Sequence, residues 1–234
     1  MASRSGCLIC GGELVYREDS GTAECYYCKG IHSSNGQCVK GHFVCDSCHS
    51  IPANELIKRY CGSTESNDPL EMASALMKSP HVNMHGPEHH FLVPAVLLAS
   101  YYNGRNDEEL KAGKLEEAEK RARNILGGYC GFYGCCGAGV GAGMAVSLIT
   151  GATPLSNHEW KLSNMMTSLS LRSIADKGGP RCCKRTAFLS IIEAAGFLNQ
   201  NLEADVKIAK NFECEFSPLN NECIKNRCPF YPGE

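Results

Sequence analysis

The sequence predicts a mostly α protein, a helical body preceded by a small cysteine-rich N-terminal module. Two observations predict it. Up to about residue 50 the chain is rich in Cys, Gly and Ser with almost no helical periodicity, whereas from Pro52 onward apolar residues recur at three- and four-residue spacing. That second part also carries repeated helix starts, in which a capping residue or proline precedes an amphipathic run. The polar, turn-forming segment 62–67 marks the boundary, so the expected domains are 1–62 and 63–234.

In the body, Asp68-Pro69-Leu70-Glu71 supplies an N-cap, a proline at the first helical position and an early acid, which predicts a helix over 69–78. Gly86-Pro87-Glu88, Asn106-Asp107-Glu108-Glu109, Asn157-His158-Glu159 and Gly179-Pro180 predict four more starts. Segment 107–124 places acids first and Lys/Arg later, which suits the helix dipole and a solvent-facing helix. No strand alternation of useful length occurs beyond the N-terminal module, and no repeat has a fixed period.

With 234 residues, 43% hydrophobic and 21% charged, the chain can build a substantial core plus a small accessory module. A net charge of -2 gives no bulk attraction for nucleic acid, and none is expected as a partner. Residues 124–157 contain no Asp, Glu, Lys or Arg, yet they are dominated by Gly, Cys and Ala and lack interfacial anchors. A packed internal helix is therefore expected there rather than a membrane span. The sixteen cysteines fall in C-x-x-C and vicinal pairs, the N-terminus has no apolar leader, and the expected location is the cytoplasm.

Cys7-x2-Cys10, Cys25-x2-Cys28 and Cys38-x3-His42-x2-Cys45-x2-Cys48 offer eight soft or borderline ligands, the number that two closed tetrahedral sites need. Two zinc ions are the expected cofactors, with the ligands paired either sequentially (Cys7, Cys10, Cys25, Cys28) or in a cross-brace. His49 could stand in for His42. The tail of the motif resembles the centre of a RING or treble-clef finger. A RING's final C-x-x-C is missing, so ubiquitin-ligase activity is not implied.

His81, His85, Glu88, His89 and His90 crowd into ten residues at a helix start, where the positive helix end favours neutral imidazole, the form that binds metal or takes a proton. Cys130, Cys135 and Cys136 open a run of small residues that permits close backbone approach, with no β-α-β context for a nucleotide loop. Cys182 and Cys183 lie among Arg181, Lys184 and Arg185 at a helix N-terminus, an arrangement expected to lower thiol pKa values and to suit an anion. Cys214, Cys223 and Cys228-Pro229 supply three thiolates, which with Cys182 or Cys183 make the ligand inventory of a [4Fe-4S] cluster or a third zinc.

The motifs H-G-P-E-H-H at 85–90, C-G-x-x-G-C-C-G at 130–137, G-G-P-R-C-C-K-R at 178–185 and C-P-F-Y at 228–231 resemble an uncharacterised cysteine-rich family of anaerobic prokaryotes, sometimes fused to radical-SAM enzymes. The resemblance spans nearly the whole chain and implies no established reaction. A fainter likeness, in the cysteine spacing after Cys183 and the Gly-rich helix, is to the iron-sulfur serine dehydratase and cysteine desulfidase group.

The expected function is an oxygen-sensitive metal or iron-sulfur enzyme acting on a small anionic or sulfur-containing substrate. His85, Glu88, His89, His90, Cys135, Cys136, Cys182 and Cys183 would act at the reacting centre, and Arg181 and Arg185 would hold the anion. The alternative is a non-catalytic metal-binding protein whose zinc module docks a partner protein. Convergence of the histidines and body cysteines on one pocket separates the two.

Overall fold

The computed structural model describes residues 7–45, 48 and 52–233. Among them are a two-stranded antiparallel hairpin and eight α-helices, so the chain is mostly α with a small N-terminal module. His49 lies outside the described residues.

Strand β1 (Leu14–Glu24) pairs with β2 (Ile31–Cys38), with Leu14 opposite Cys38, Glu24 opposite Ile31 and a register shift between Tyr16 and Gly21. The pairing places the C-x-x-C loop at Cys25 at one end of the hairpin, and Cys7, Cys10 and Cys38 at the other. Tight turns close both loops, through Gly11 N–H to the Cys7 carbonyl (2.7 Å) and Lys29 N–H to the Cys25 carbonyl (2.9 Å).

Helix α1 (Ala53–Ser63) leads into the body, and its Tyr60 stacks on Tyr26 and meets Tyr27 edge-on. Helix α2 (Pro69–Met77) starts where its sequence requires. The Asp68 carboxylate accepts from the amides of Leu70 (2.9 Å) and Glu71 (3.1 Å), and Pro69 needs no partner for the N–H it lacks. Helix α3 (Glu88–Asn103) is apolar on every side because it is the axis of the body, packed against α1, α2, α4 (Glu108–Ala122), α6 (Gly137–Thr150) and α8 (Cys183–Asn201). Pro87 occupies its N-cap position rather than the first turn, itself with helical backbone angles.

Helix α4 carries the expected acid-first, base-last pattern with Asp107 as its cap. It is less purely solvent-facing than its sequence suggests. Lys111 is buried and donates to the Thr64 carbonyl (3.2 Å) and the Asn103 side chain (2.8 Å), which ties α4 to the α1–α2 connection.

After the single turn α5 (Tyr129–Phe132), the charge-free segment becomes α6, wedged between α3 and α7 (His158–Lys177). Its glycines alternate between two neighbours. Gly137 and Gly141 face His90 and Pro94 of α3, and Gly139 and Gly143 face Leu171 and Thr167 of α7. Pro94 lacks the N–H that would have bonded the His90 carbonyl, and Gly141 lets α6 approach that carbonyl and the proline ring. No helix among the described residues is long and apolar enough to cross a membrane.

The tail, 202–233, has only two short 3-10 turns, at Ser217–Leu219 and Lys225–Arg227. It is fastened by Phe212, Phe216 and Phe230 around Phe188 of α8, and by the Lys78–Glu215 ion pair at 2.6 Å.

Candidate functional site

Two ligand sets assemble in the N-terminal module, and they are cross-braced. Cys7, Cys10, Cys38 and His42 draw their ligand atoms within 4.8 Å of one another, as do Cys25, Cys28, Cys45 and Cys48, so each set can hold a metal ion. The hairpin decides the pairing, because it carries Cys38 back beside the first C-x-x-C while the following loop returns to the second. The Cys10–Cys38 (3.6 Å) and Cys28–Cys45 (3.9 Å) sulfur separations match the ~3.8 Å that tetrahedral Zn–S bonds of about 2.3 Å impose, and His42 Nδ1 lies 3.8 Å from the Cys7 sulfur. Amide donors favour ionisation of Cys25 and Cys38, whereas burial opposes ionisation of Cys7, Cys45 and Cys48. Burial opposes it at Cys25, but N–H groups of Cys28, Cys45 and Tyr27 outweigh burial and bring that thiol down to about 7. Both sets are closed, with four protein ligands each.

In the body, a cavity of about 450 Å³ opens between α3, α6, α7 and the 178–186 segment. His89, His90, Cys130, Cys136, Cys183 and Arg181 all line it. The histidines arrive there because α3 begins at Glu88, which puts consecutive residues of its first turn on the cavity side. Each imidazole is fixed by its Nδ1–H, donated to the Gly86 carbonyl by His89 (3.0 Å) and to the Ile125 carbonyl by His90 (2.9 Å). A carbonyl can only accept, so the lone pair of each neutral ring sits on Nε2. Burial, with the nearby Lys184 charge, holds His89 well below the usual histidine range; burial lowers His90 as well. The His89 Nε2 atom is buried and has no hydrogen-bond partner among the described residues. Gly137 lies against the His90 ring, where a Cβ would collide with it.

His85 and Glu88 do not line this cavity, nor does Cys135. His85 turns to the tail, its Nε2 within 3.0 Å of the Glu222 carboxylate and 3.2 Å of Asn220 Oδ1. Glu88 is buried beneath Gly86 and accepts from the Asn83 amide at 2.7 Å, which shapes the turn that delivers His89. Lys184, in the sequence one more cation beside Arg181 and Arg185, is buried and donates to the carbonyls of Val82 and Asn83 (3.3 and 2.8 Å), anchoring the same turn. Its place one helical turn before the apolar face of α8 was the available signal.

The vicinal cysteines divide. Cys183 lines only the large cavity, while Cys182 also lines a second, smaller one beneath the tail, together with Cys214, Cys223 and Cys228. Cys182 caps α8, its sulfur accepting from the Arg185 amide and from Asn220 Nδ2, both at 3.4 Å. The expectation of lowered pKa values at this helix end is not met. Burial dominates the helix-end amides and the Arg185 charge, raising Cys182 and pushing Cys183 up to about 11. Cys214 is likewise pushed up to about 11 by burial and the neighbouring thiols. Arg185 is buried and spends two donors on the carbonyls of Gly178 and Pro180, each at 2.8 Å, so it shapes the loop while lining both cavities.

The protein is thus a helical, cysteine-rich chain with two four-ligand sets able to hold metal and a separate His/Cys-lined cavity. The model of a family of unknown function, DUF5714, matches residues 57–231, and the chain belongs to that family. The match covers the body and leaves both N-terminal ligand sets outside it. No curated protein and no solved structure matches the chain.

Proposed function

We propose that the chain is a metal-dependent, oxygen-sensitive enzyme whose substrate, a small anionic or sulfur-containing molecule, binds in the cavity between α3, α6 and α7, and that the module at 1–62 carries two zinc ions in a supporting role. One observation carries the proposal: His89, whose Nε2 is buried and without a partner among the described residues, lines a cavity that also gathers His90, Cys136, Cys183 and Arg181. A buried polar atom without a partner has lost its hydration, and a bound ligand or ion would restore the missing interaction. In that cavity His89 or His90 would accept at Nε2 the proton of the Cys136 or Cys183 thiol, the sulfur so freed would face the substrate as a nucleophile, and exposed Arg181 would meet an anionic group at the mouth.

The test is a panel of small carboxylates, phosphates and thiol compounds added to protein purified without oxygen. Binding should raise the melting temperature and protect Cys136 and Cys183 from alkylation, read by mass spectrometry; a ligand at a hundred times its Kd adds about 2.7 kcal/mol. His89→Gln should abolish the response while leaving the zinc content intact. If no compound at millimolar concentration shifts melting or protects either cysteine, the cavity is not a substrate site.

A second reading has its own observation. Val15, Ile31 and Val39 are exposed apolar side chains on the hairpin of the zinc module, a surface that suits a partner protein. Ile31→Asp would then abolish copurification of that partner and leave the ligand response of the body unchanged.

A further inference from the structure

We infer that Cys182, Cys214, Cys223 and Cys228 ligate an iron-sulfur cluster of the [4Fe-4S] type, placed between the tail and the N-terminus of α8. The inference goes beyond the proposed substrate cavity and does not depend on it.

Four cysteines from three separate stretches of chain line one small cavity: Cys182 from the cap of α8, Cys214 from the tail ahead of its first turn, and Cys223 and Cys228 from either side of its second turn. The tail has almost no regular secondary structure to explain its course, yet it holds these sulfurs together. The Cys214 amide donates to the Phe230 carbonyl at 2.6 Å, which fixes the first of them beside the last. Three of the sulfurs accept backbone N–H groups two or three residues onward. Cys223 takes the amide of Lys225 and Cys182 that of Arg185, each at 3.4 Å, and Cys214 takes that of Phe216. Cys38 does the same with the Lys40 amide (3.4 Å) inside a set that can hold metal. Such donors stabilise thiolate rather than thiol.

The spacing speaks against a third zinc. Among the described residues only the two N-terminal sets bring three or more ligand atoms within 4.8 Å of one another, so the tail cysteines share a cavity without closing to that distance. A single tetrahedral zinc requires sulfurs about 3.8 Å apart. A cubane interposes an iron at each corner and holds its four thiolates farther apart.

Charge agrees. With a core of charge +2 and four thiolates the assembly carries two negative charges, and Arg185 is a buried cation on the same cavity with no carboxylate in ion-pair reach among the described residues. Because Cys182 and Arg185 also line the large cavity, the cluster would sit directly behind its wall.

Assembly needs no net redox change. Two ferrous and two ferric ions with four sulfides make the core, and each of the four thiols releases its proton to solvent as its bond to iron forms.

The experiment is anaerobic reconstitution of the full chain with equal parts ferrous and ferric iron plus sulfide, followed by desalting, iron and sulfide analysis, and visible and low-temperature EPR spectra before and after dithionite. The expected result is about four iron and four sulfide per chain, a visible charge-transfer band bleached by dithionite, and an EPR signal of the reduced cluster. Cys214→Ala and Cys223→Ala should lose the band, while Cys130→Ala, on the other cavity, keeps it. Far-UV circular dichroism and zinc content identify a variant that has merely failed to fold, and the unmodified protein decides the matter without any variant. A third zinc per chain with no visible band, or iron that desalting removes, would overturn the inference. Since the readout is spectral, it stands whether or not any substrate occupies the large cavity.

Discussion

Placing a methyl group at position 143 tests how closely α6 and α7 approach. In an exposed helix, Gly→Ala is favourable by about 1 kcal/mol because it lowers the entropy lost on folding. At Gly143 an added Cβ would collide with the Thr167 hydroxyl and lie 2.7 Å from the Ser163 carbonyl oxygen. The hydroxyl can rotate, but the carbonyl is part of α7 and yields only if the helices part. Overpacking of this kind costs about 3 kcal/mol at the upper end of its range, leaving a net loss of about 2 kcal/mol after the helix gain. Gly113, exposed in α4 with nothing within 4 Å of its added Cβ, isolates the gain alone. In a protein of this size 1 kcal/mol moves the melting temperature by about 2–4 °C. Gly143→Ala should therefore melt about 4–8 °C lower than the parent and Gly113→Ala about 2–4 °C higher, followed by circular dichroism at fixed zinc concentration. Equal or greater stability of Gly143→Ala would refute the close approach.

Two further outcomes follow from the site geometry. His89 is held neutral by burial and the Lys184 charge, so below about pH 6.5 the unfolded chain takes up a proton that the folded chain refuses. Its contribution to stability is complete above that pH and is lost as pH falls, by up to about 1.4 kcal/mol per pH unit, until the depressed folded pKa is reached. Urea unfolding between pH 7.5 and 5.5 should show a shallower loss for His89→Gln than for the parent, and parallel curves would count against a neutral buried imidazole. Because the two N-terminal sets share no ligand, His42→Ala and Cys45→Ala should each lower zinc content from two ions to one per chain by elemental analysis. Loss of both ions from either variant would mean that the sites form only together.

Much of this was legible in the residues themselves. Asp68-Pro69 capped a helix as local chemistry demands, and the eight N-terminal ligands declared two metal sets, since a tight C-x-x-C turn needs no distant partner to present two sulfurs on one side. The small-residue run after Cys136 announced close packing, because no other use of alternating glycines fits a helix without charges.

What the linear pattern left open depended on long-range contacts. Sequential and cross-braced pairings use the same spacings, and only the hairpin register, Leu14 opposite Cys38, brings Cys38 to Cys7 and Cys10. Thiol acidity at Cys182 and Cys183 is not legible in the sequence because a helix end and neighbouring cations are local features, whereas burial, the larger influence, is a property of everything packed around them. The histidine cluster reads as one group along the chain, yet the turn at Gly86 sends His85 to the tail and His89 and His90 to the cavity. The sequence by itself thus determined the mostly helical body and the eight N-terminal residues able to hold metal. Only the tertiary structure decided which sulfurs and imidazoles face a common space, because that depends on how α3, α6, α8 and the tail pack, and packing sums contacts that no short stretch of sequence contains.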